Sequence, residues 1–236
     1  HAITLNYADY TKMNIINSDI KAYNHCLNIY SYGNNITLTN SNFKSTNNIV
    51  ILGNYSNSTY TTVNATDCTF ETANSSTIYA YYLNFNMTGG EIKNTCTYSD
   101  SGSVNLTDVK ITSDTSSGIY AQKNTTLNNV EISLKRNDAI GIHAYRGTVT
   151  MNGDSKIITP GTSASAVYFG DYENATFTMN NGEINSGYIG INNASSNSSY
   201  TRNINIYSGK VIGNKYGIRQ VTPTGYMTIG KKDDEL

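Results

Sequence analysis

The chain of 236 residues carries a formal net charge of −1 at pH 7, and only 14% of its residues are charged. This balance excludes the basic surface of proteins that bind nucleic acids or anionic membranes, and no stretch approaches the roughly 20 apolar residues of a membrane span. The two prolines and the many Tyr and β-branched residues argue against a disordered linker and favour an all-β protein.

A short strand of alternating apolar and polar residues recurs along the chain, at intervals of roughly 19 to 28 residues that are typical of solenoid repeats. The alternation predicts one inward face and one solvent face rich in Asn, Ser and Thr. Thr125 is the one residue of the series that is poorly suited to an inward position, because it is polar. The copies lie at 35–39, 62–66, 84–88, 103–107, 124–128, 148–152, 176–180 and 203–207, with weaker copies at 13–15 and 227–229.

A corner and a second strand follow each copy. Positive φ or close backbone approach is expected at the corner glycines, which are Gly89, Gly90, Gly153, Gly182 and Gly209. Each second strand has one central apolar residue, and the series is Ile20, Phe43, Phe70, Ile92, Ile111, Ile132, Ile157, Ile184 and Val211. A third short strand closes most repeats, at 78–80, 118–121, 141–144, 166–168, 190–192 and 217–219. We expect repeat length to vary mainly before this closing strand.

Three strands per repeat, stacked in parallel, predict a single-domain right-handed parallel β-helix (β-solenoid) over residues 1–236, with about nine coils of three short strands. A β-sandwich is the alternative, and it requires hairpin turns at each reversal. Asn152-Gly153 and Asn181-Gly182 suit such turns, but the repeated same-face pattern favours the solenoid. Because neither end has a convincing capping helix, we expect a monomeric segment of a longer surface protein.

Stacking equivalent strands turns each outward position into a column along the solenoid. One column alternates in sign, which stabilises strand pairing and specifies its register: Glu91, Lys110, Glu131, Lys156, Glu183 and Lys210. A Thr/Asn face on the first strands suits hydrogen bonding along the stack. The same face is also consistent with an ice-binding surface, although Asn interrupts its Thr columns.

A third column, on the closing strands, is rich in Tyr. Aromatic rings with polar tips suit the apolar faces of sugars or a protein partner, whereas Tyr stacking on Tyr also stabilises a sheet. We predict that it binds a glycan or a cell-surface protein through Tyr79, Tyr81, Tyr120, His143, Tyr145, Tyr168 and Arg219. The alignment of Tyr98 with this column stays open because its coil is the shortest.

The coil pattern resembles the pectate-lyase-like β-helix superfamily over essentially the whole chain. The segment 176–184, Thr-Phe-Thr-Met-Asn-Asn-Gly-Glu-Ile, is similar to repeats of bacterial surface adhesins. Polysaccharide lyases and hydrolases of that superfamily carry clustered Asp residues with Arg or Lys on one sheet, whereas the Asp residues here are scattered. The resemblance therefore implies an extracellular or cell-surface module without catalytic activity, which binds a ligand or acts as a stalk.

A polysaccharide lyase or hydrolase is the alternative function. A charged cluster from two neighbouring coils offers a base, an acid and a cation, and its candidate catalytic residues are His143, Asp138, Arg146 and Asp171. No phosphate loop, nucleophile elbow or zinc pattern is present, and we predict no cofactor and no metal site, with calcium in a loop left open.

The cysteines and the last four residues have plain structural interpretations. Cys26, Cys68 and Cys96 lack metal-ligand spacing and are expected to be small buried hydrophobic residues. The segment 233–236 resembles an endoplasmic-reticulum retrieval signal, but at the edge of a repeat array we interpret it as a charged cap.

Overall fold

The computed structural model describes residues 1–53, 59–73, 76–94, 96–114, 117–171, 173–194, 196–221 and 224–230. In these ranges the chain forms 27 β-strands and no helix. None of the described residues therefore belongs to a helix long and apolar enough to cross a membrane. The segment 233–236 and the side chain of Cys96 lie outside the described part.

The strands follow one another at short intervals. The first nine are β1 (Ile3–Asn6), β2 (Lys12–Ile16), β3 (Asp19–Ala22), β4 (Leu27–Tyr30), β5 (Asn35–Thr39), β6 (Asn42–Ser45), β7 (Ile51–Gly53), β8 (Thr61–Thr72) and β9 (Ser76–Ala80). The next nine are β10 (Leu83–Lys93), β11 (Cys96–Ser99), β12 (Val104–Thr107), β13 (Lys110–Ser113), β14 (Ile119–Ala121), β15 (Thr125–Asn128), β16 (Glu131–Leu134), β17 (Ile140–Ala144) and β18 (Gly147–Asn152). The last nine are β19 (Lys156–Thr159), β20 (Ser165–Phe169), β21 (Ala175–Met179), β22 (Glu183–Ser186), β23 (Ile189–Asn193), β24 (Arg202–Ile206), β25 (Lys210–Gly213), β26 (Tyr216–Gln220) and β27 (Met227–Ile229).

Equivalent strands pair in parallel from coil to coil and form three ladders. The first ladder runs β2-β5-β8-β10-β12-β15-β18-β21-β24-β27, and the second runs β3-β6-β8-β10-β13-β16-β19-β22-β25. The closing ladder is a ten-stranded sheet in the order β1-β4-β7-β9-β11-β14-β17-β20-β23-β26. Strands β8 and β10 run through the corner and belong to both of the first two ladders. The predicted right-handed parallel β-helix of about nine coils is thereby confirmed.

The core is the set of inward side chains that the three ladders stack on one another. In the second ladder each predicted apolar residue pairs with the next one in the series, as in Phe70 with Ile92 and Ile111 with Ile132. The rings of Phe43 and Phe70 stack with centroids 5.2 Å apart. Interior packing of this kind stabilises the fold along its whole length, because burying one such side chain contributes about 1.5–3 kcal/mol.

Small polar and sulfur-containing residues also lie inside the solenoid, among them Thr125, Cys26 and Cys68. Thr125 is only 1% exposed, and its Oγ1 lies 3.1 Å from Ser99 Oγ, so the poor inward residue finds a hydrogen-bond partner in the preceding coil. Cys26 and Cys68 are buried free thiols, as expected for small hydrophobic residues. Burial raises the pKa of Cys26 to about 11, which keeps the thiol protonated.

The corner between the first two strands explains part of the high Asn and Gly content. Asn40, Asp108 and Asn129 have φ of 47°, 55° and 53° there, and Gly89 and Gly153 have φ of 67° and 60°. Asn and Asp tolerate this left-handed region better than other side-chain-bearing residues, and glycine adopts it without strain. The predicted positive φ of the corner glycines is confirmed.

Connections vary more in length after the closing strand than before it. Before it they range from two residues, at 94–95, to five, at 46–50, whereas after it they range from two, at 81–82, to eight, at 194–201. The expectation that length varies mainly before the closing strand is therefore wrong. The longest connection is held by the buried Arg202, whose Nη1 donates to the carbonyl oxygen of Tyr200 at 2.7 Å and whose Nη2 donates to that of Gly170 at 2.8 Å.

Gly90→Ala should destabilise the solenoid, because a Cβ at this position would lie 2.1 Å from the carbonyl oxygen of Cys68 and φ is +83°. We expect a loss of about 2 kcal/mol or more in the free energy of unfolding, from strain and overpacking together. Gly217→Ala is the matched control, since its nearest contact is 3.6 Å away, and it should change the urea midpoint little. Equal midpoints for the two variants would contradict the close packing of the corner.

Candidate functional site

The Tyr-rich column occupies equivalent positions on the closing strands of five successive coils. Strands β9, β11, β14, β17 and β20 pair in register and bring these residues into one row. We call the row the aromatic stripe, and its members are Tyr79, Tyr98, Tyr120, His143 and Tyr168. With parallel strands about 4.8 Å apart, it runs about 19 Å along the solenoid axis. Tyr98, which the sequence alignment left open, lies in its middle.

The rings of the aromatic stripe touch one another without interruption. Centroid distances are 5.6 Å for Tyr79–Tyr98, 4.8 Å for Tyr98–Tyr120, 4.5 Å for Tyr120–His143 and 5.1 Å for His143–Tyr168. Each residue is half-buried. Contacts of this geometry contribute about 0.5–1.5 kcal/mol per pair beyond burial, so the stripe stabilises the sheet. The part of each residue that stays accessible adds to one row of aromatic surface along the axis.

Two further predicted residues widen the stripe on one side. Tyr81 lies two residues beyond Tyr79, with centroids 6.2 Å apart, and Tyr145 packs 5.2 Å from Tyr120. The structure thus brings six of the seven predicted binding residues together. Arg219 lies in the same column but two coils beyond Tyr168, and the buried Asn192 separates them.

Three charged residues border the aromatic stripe, and we call them the charged rail: Asp100, Arg146 and Glu173. Arg146 Nη2 lies 3.3 Å from Asp100 Oδ1, and Nη1 lies 3.1 Å from Glu173 Oε1. Asp100 Oδ2 also accepts a hydrogen bond of 2.8 Å from the hydroxyl of Tyr79. Sequence reasoning singled out Arg146 but missed its partners, because Asp100 lies 46 residues earlier and two coils away.

The electrostatics of the stripe follow from its burial. Burial and the hydrogen bond to Asp100 raise the pKa of Tyr79 to about 12, so its phenol stays a proton donor. Burial lowers the pKa of His143 to about 4, and its Nε2 is buried without a hydrogen-bond partner. Tyr79 and His143 are therefore uncharged at neutral pH.

The candidate catalytic residues have separate local partners. Asp138 Oδ1 lies 2.6 Å from Arg136 Nε, and Asp171 Oδ1 accepts the backbone N–H of Ser196 at 3.2 Å. Among the described residues no hydrogen bond or ion pair joins His143 to either carboxylate. The arrangement thus shows no acid–base pair in contact, and the catalytic interpretation stays a prediction.

The alternating charge column has the predicted register, in which each Glu neighbours a Lys on the next strand. Within the described ranges, only Lys110 and Glu131 of this column approach within 4 Å, with Nζ and Oε1 3.6 Å apart. Glu91 instead pairs with Lys93 on its own strand at 2.9 Å. Lys156, Glu183 and Lys210 line a shallow cleft of about 330 Å³. Exposed pairs of this kind contribute little stability.

Side chains of the Thr/Asn face bind one another along the stack. Asn105 Nδ2 donates to Asn86 Oδ1 at 2.9 Å, and Asn86 Nδ2 donates to Asn64 Oδ1 at 2.9 Å. Asn152 Nδ2 donates to Asn128 Oδ1 at 2.8 Å in a parallel column. These amide ladders favour a structural role for the face, and ice binding stays a prediction without a specific observation behind it.

Comparison with known proteins adds no family to this geometry: no family model, no curated protein and no solved structure matches the chain. The described residues contain no group of three or more His, Cys, Asp or Glu side chains placed to hold a metal ion. The aromatic stripe with its charged rail is therefore the candidate site, on geometric grounds.

His143 should make stability depend on pH. Because its pKa in the folded chain, about 4, lies below the ordinary value of about 6.5, the unfolded chain binds more protons between these two values. The free energy of unfolding should therefore fall as the pH drops through this window. In His143→Phe this component should be absent, which urea midpoints at about pH 7 and about pH 4.5 would measure. An NMR titration midpoint near 6.5 for folded His143 would contradict it.

Proposed function

We propose that this chain is an extracellular, non-catalytic β-helix module of a cell-surface adhesin, which binds a glycan along the aromatic stripe. One observation carries the proposal: five half-buried rings in unbroken contact form a narrow row along the solenoid axis. Such a surface suits an extended ligand with apolar faces and many hydroxyl groups. Tyr rings offer an apolar body with a polar tip, which is the chemistry that a sugar ring requires.

The shape of the stripe favours a glycan over a protein partner. A stable protein interface buries about 800 Å² on each side and has a well-packed apolar centre. The stripe is one or two rings wide, with Tyr145 and Tyr81 as its flanks and the charged rail at its edge. A linear sugar chain laid across successive coils would contact rings and rail together.

The charged rail supports binding in preference to catalysis. Arg146 is engaged by two carboxylates, and Asp100 is further engaged by the Tyr79 hydroxyl. General acid–base chemistry needs a base and an acid poised to exchange protons with substrate. Groups held in mutual ion pairs instead present fixed donors and acceptors, which suit hydrogen bonds to hydroxyl groups.

Removing two rings of the stripe should abolish glycan binding. Tyr120→Thr combined with Tyr168→Thr keeps strand-compatible residues and deletes both stacking surfaces. We expect each ring to contribute about 1.4 kcal/mol or more, so that affinity on a glycan array falls about a hundredfold or more in total. Circular dichroism would verify the fold.

Tyr23→Thr is the control, because Tyr23 is 69% exposed and lies outside the stripe. It should leave glycan binding unchanged. A native protein that binds no glycan on the array would overturn the proposal and leave a stalk as the function, whereas stripe-dependent binding to a protein would assign the same surface to a different partner.

A further inference from the structure

The aromatic stripe is electrically neutral, and this restricts what it can bind. The hydroxyl of Tyr79 donates to Asp100 Oδ2 at 2.8 Å, and Tyr side chains carry no formal charge in their ordinary protonated form. The imidazole of His143 packs between Tyr rings, with centroids 4.5 Å from Tyr120 and 5.1 Å from Tyr168. A carboxylate or sulfate on the ligand would therefore find no opposite charge on the stripe itself.

The cation of the charged rail is already neutralised. Arg146 is bound on one side by Asp100, two coils before it, and on the other by Glu173, one coil after it. The side chain of Asp100 is only 16% exposed, so its charge is held close to the stripe and only partly screened. An acidic ligand would have to displace a carboxylate that the Tyr79 hydroxyl also holds.

On the side of the charged rail, acidic residues outnumber basic ones by one. Lys123 and Asp171 follow the closing strands β14 and β20 on the same side as the charged rail. Together with the rail they give three carboxylates against two cations. Because like charges placed together disfavour binding, this side of the site should favour uncharged ligands over anionic ones.

We infer that the stripe selects an uncharged glycan, and that Asp100 and Glu173 exclude acidic glycans by neutralising Arg146. This inference rests on the proposed function and adds the chemical class of the ligand. Sugar rings pack on the aromatic stripe, and their hydroxyls donate to carboxylate oxygens of the rail and accept from free N–H groups of Arg146. A uronate places a carboxylate where the rail already has two.

The test compares oligosaccharides of uncharged hexoses and N-acetylhexosamines with oligogalacturonides and oligoglucuronates of equal length. The native protein should bind at least one uncharged series about tenfold or more tightly than the acidic ones. Asp100→Asn combined with Glu173→Gln leaves Arg146 without a counter-charge, while the amide oxygen at position 100 still accepts the Tyr79 hydroxyl. This double variant should gain affinity for the acidic oligosaccharides about tenfold or more.

Two further variants make the result specific. Glu131→Gln removes a carboxylate that pairs with Lys110 on the second ladder, outside the stripe and its rail, and it should leave the preference unchanged. Arg146→Gln removes the cation and should lower the affinity for acidic oligosaccharides further. This second variant keeps the inference testable if the double variant fails to fold. Native preference for uronates, or no shift in either rail variant, would overturn the inference and leave glycan binding intact. Binding to no oligosaccharide at all would overturn the proposed function.

Discussion

The register between coils is the constraint on which the rest of this structure depends. Each strand pairs in parallel with its equivalent one coil away, so every side chain meets its counterpart about 4.8 Å along the axis. A slip of one residue would exchange inward and outward faces, and it would bury Asn and Thr in place of Phe, Ile and Val. The amide ladders, the charge column and the aromatic stripe are consequences of this one repeat, because each joins residues that the register makes neighbours.

Much of the fold is predictable from the sequence because the inward residues repeat with period two and the corners require residues that tolerate positive φ. The series from Ile20 to Val211 pairs as the alignment placed it, and Gly153 has the expected φ. The early closing strands β1, β4 and β7 lacked a recognisable signal. The residues of β4 and β7 at the register position of Tyr79, Asn28 and Leu52, depart from the Tyr-rich pattern that marks later coils.

The candidate site was less predictable, because side-chain reach is not fixed by spacing along the chain. The column register identified the ring positions, but Arg146 extends over two coils to Asp100, a contact that no local pattern encodes. The prediction of where the connections vary in length was wrong for a similar reason. The buried Arg202 holds the connection 194–201 to the stack through carbonyl oxygens, so a long loop is tolerated after the closing strand.

The three outward columns differ in how far their side chains are already engaged with neighbouring residues and how much of them stays accessible to a ligand. Asn86 and Asn105 use their amides on each other, and Lys110 has Glu131 as its neighbour. The rings of the aromatic stripe contact one another and still keep part of their surface accessible. Each central strand of the closing ladder is already hydrogen-bonded to a neighbour on both sides, which holds its rings in place. Binding a ligand would therefore cost little conformational entropy for ordering these side chains. If the proposed function holds, affinity would then grow with the number of coils that a ligand spans, and a chain-like glycan would gain more from this surface than a compact one.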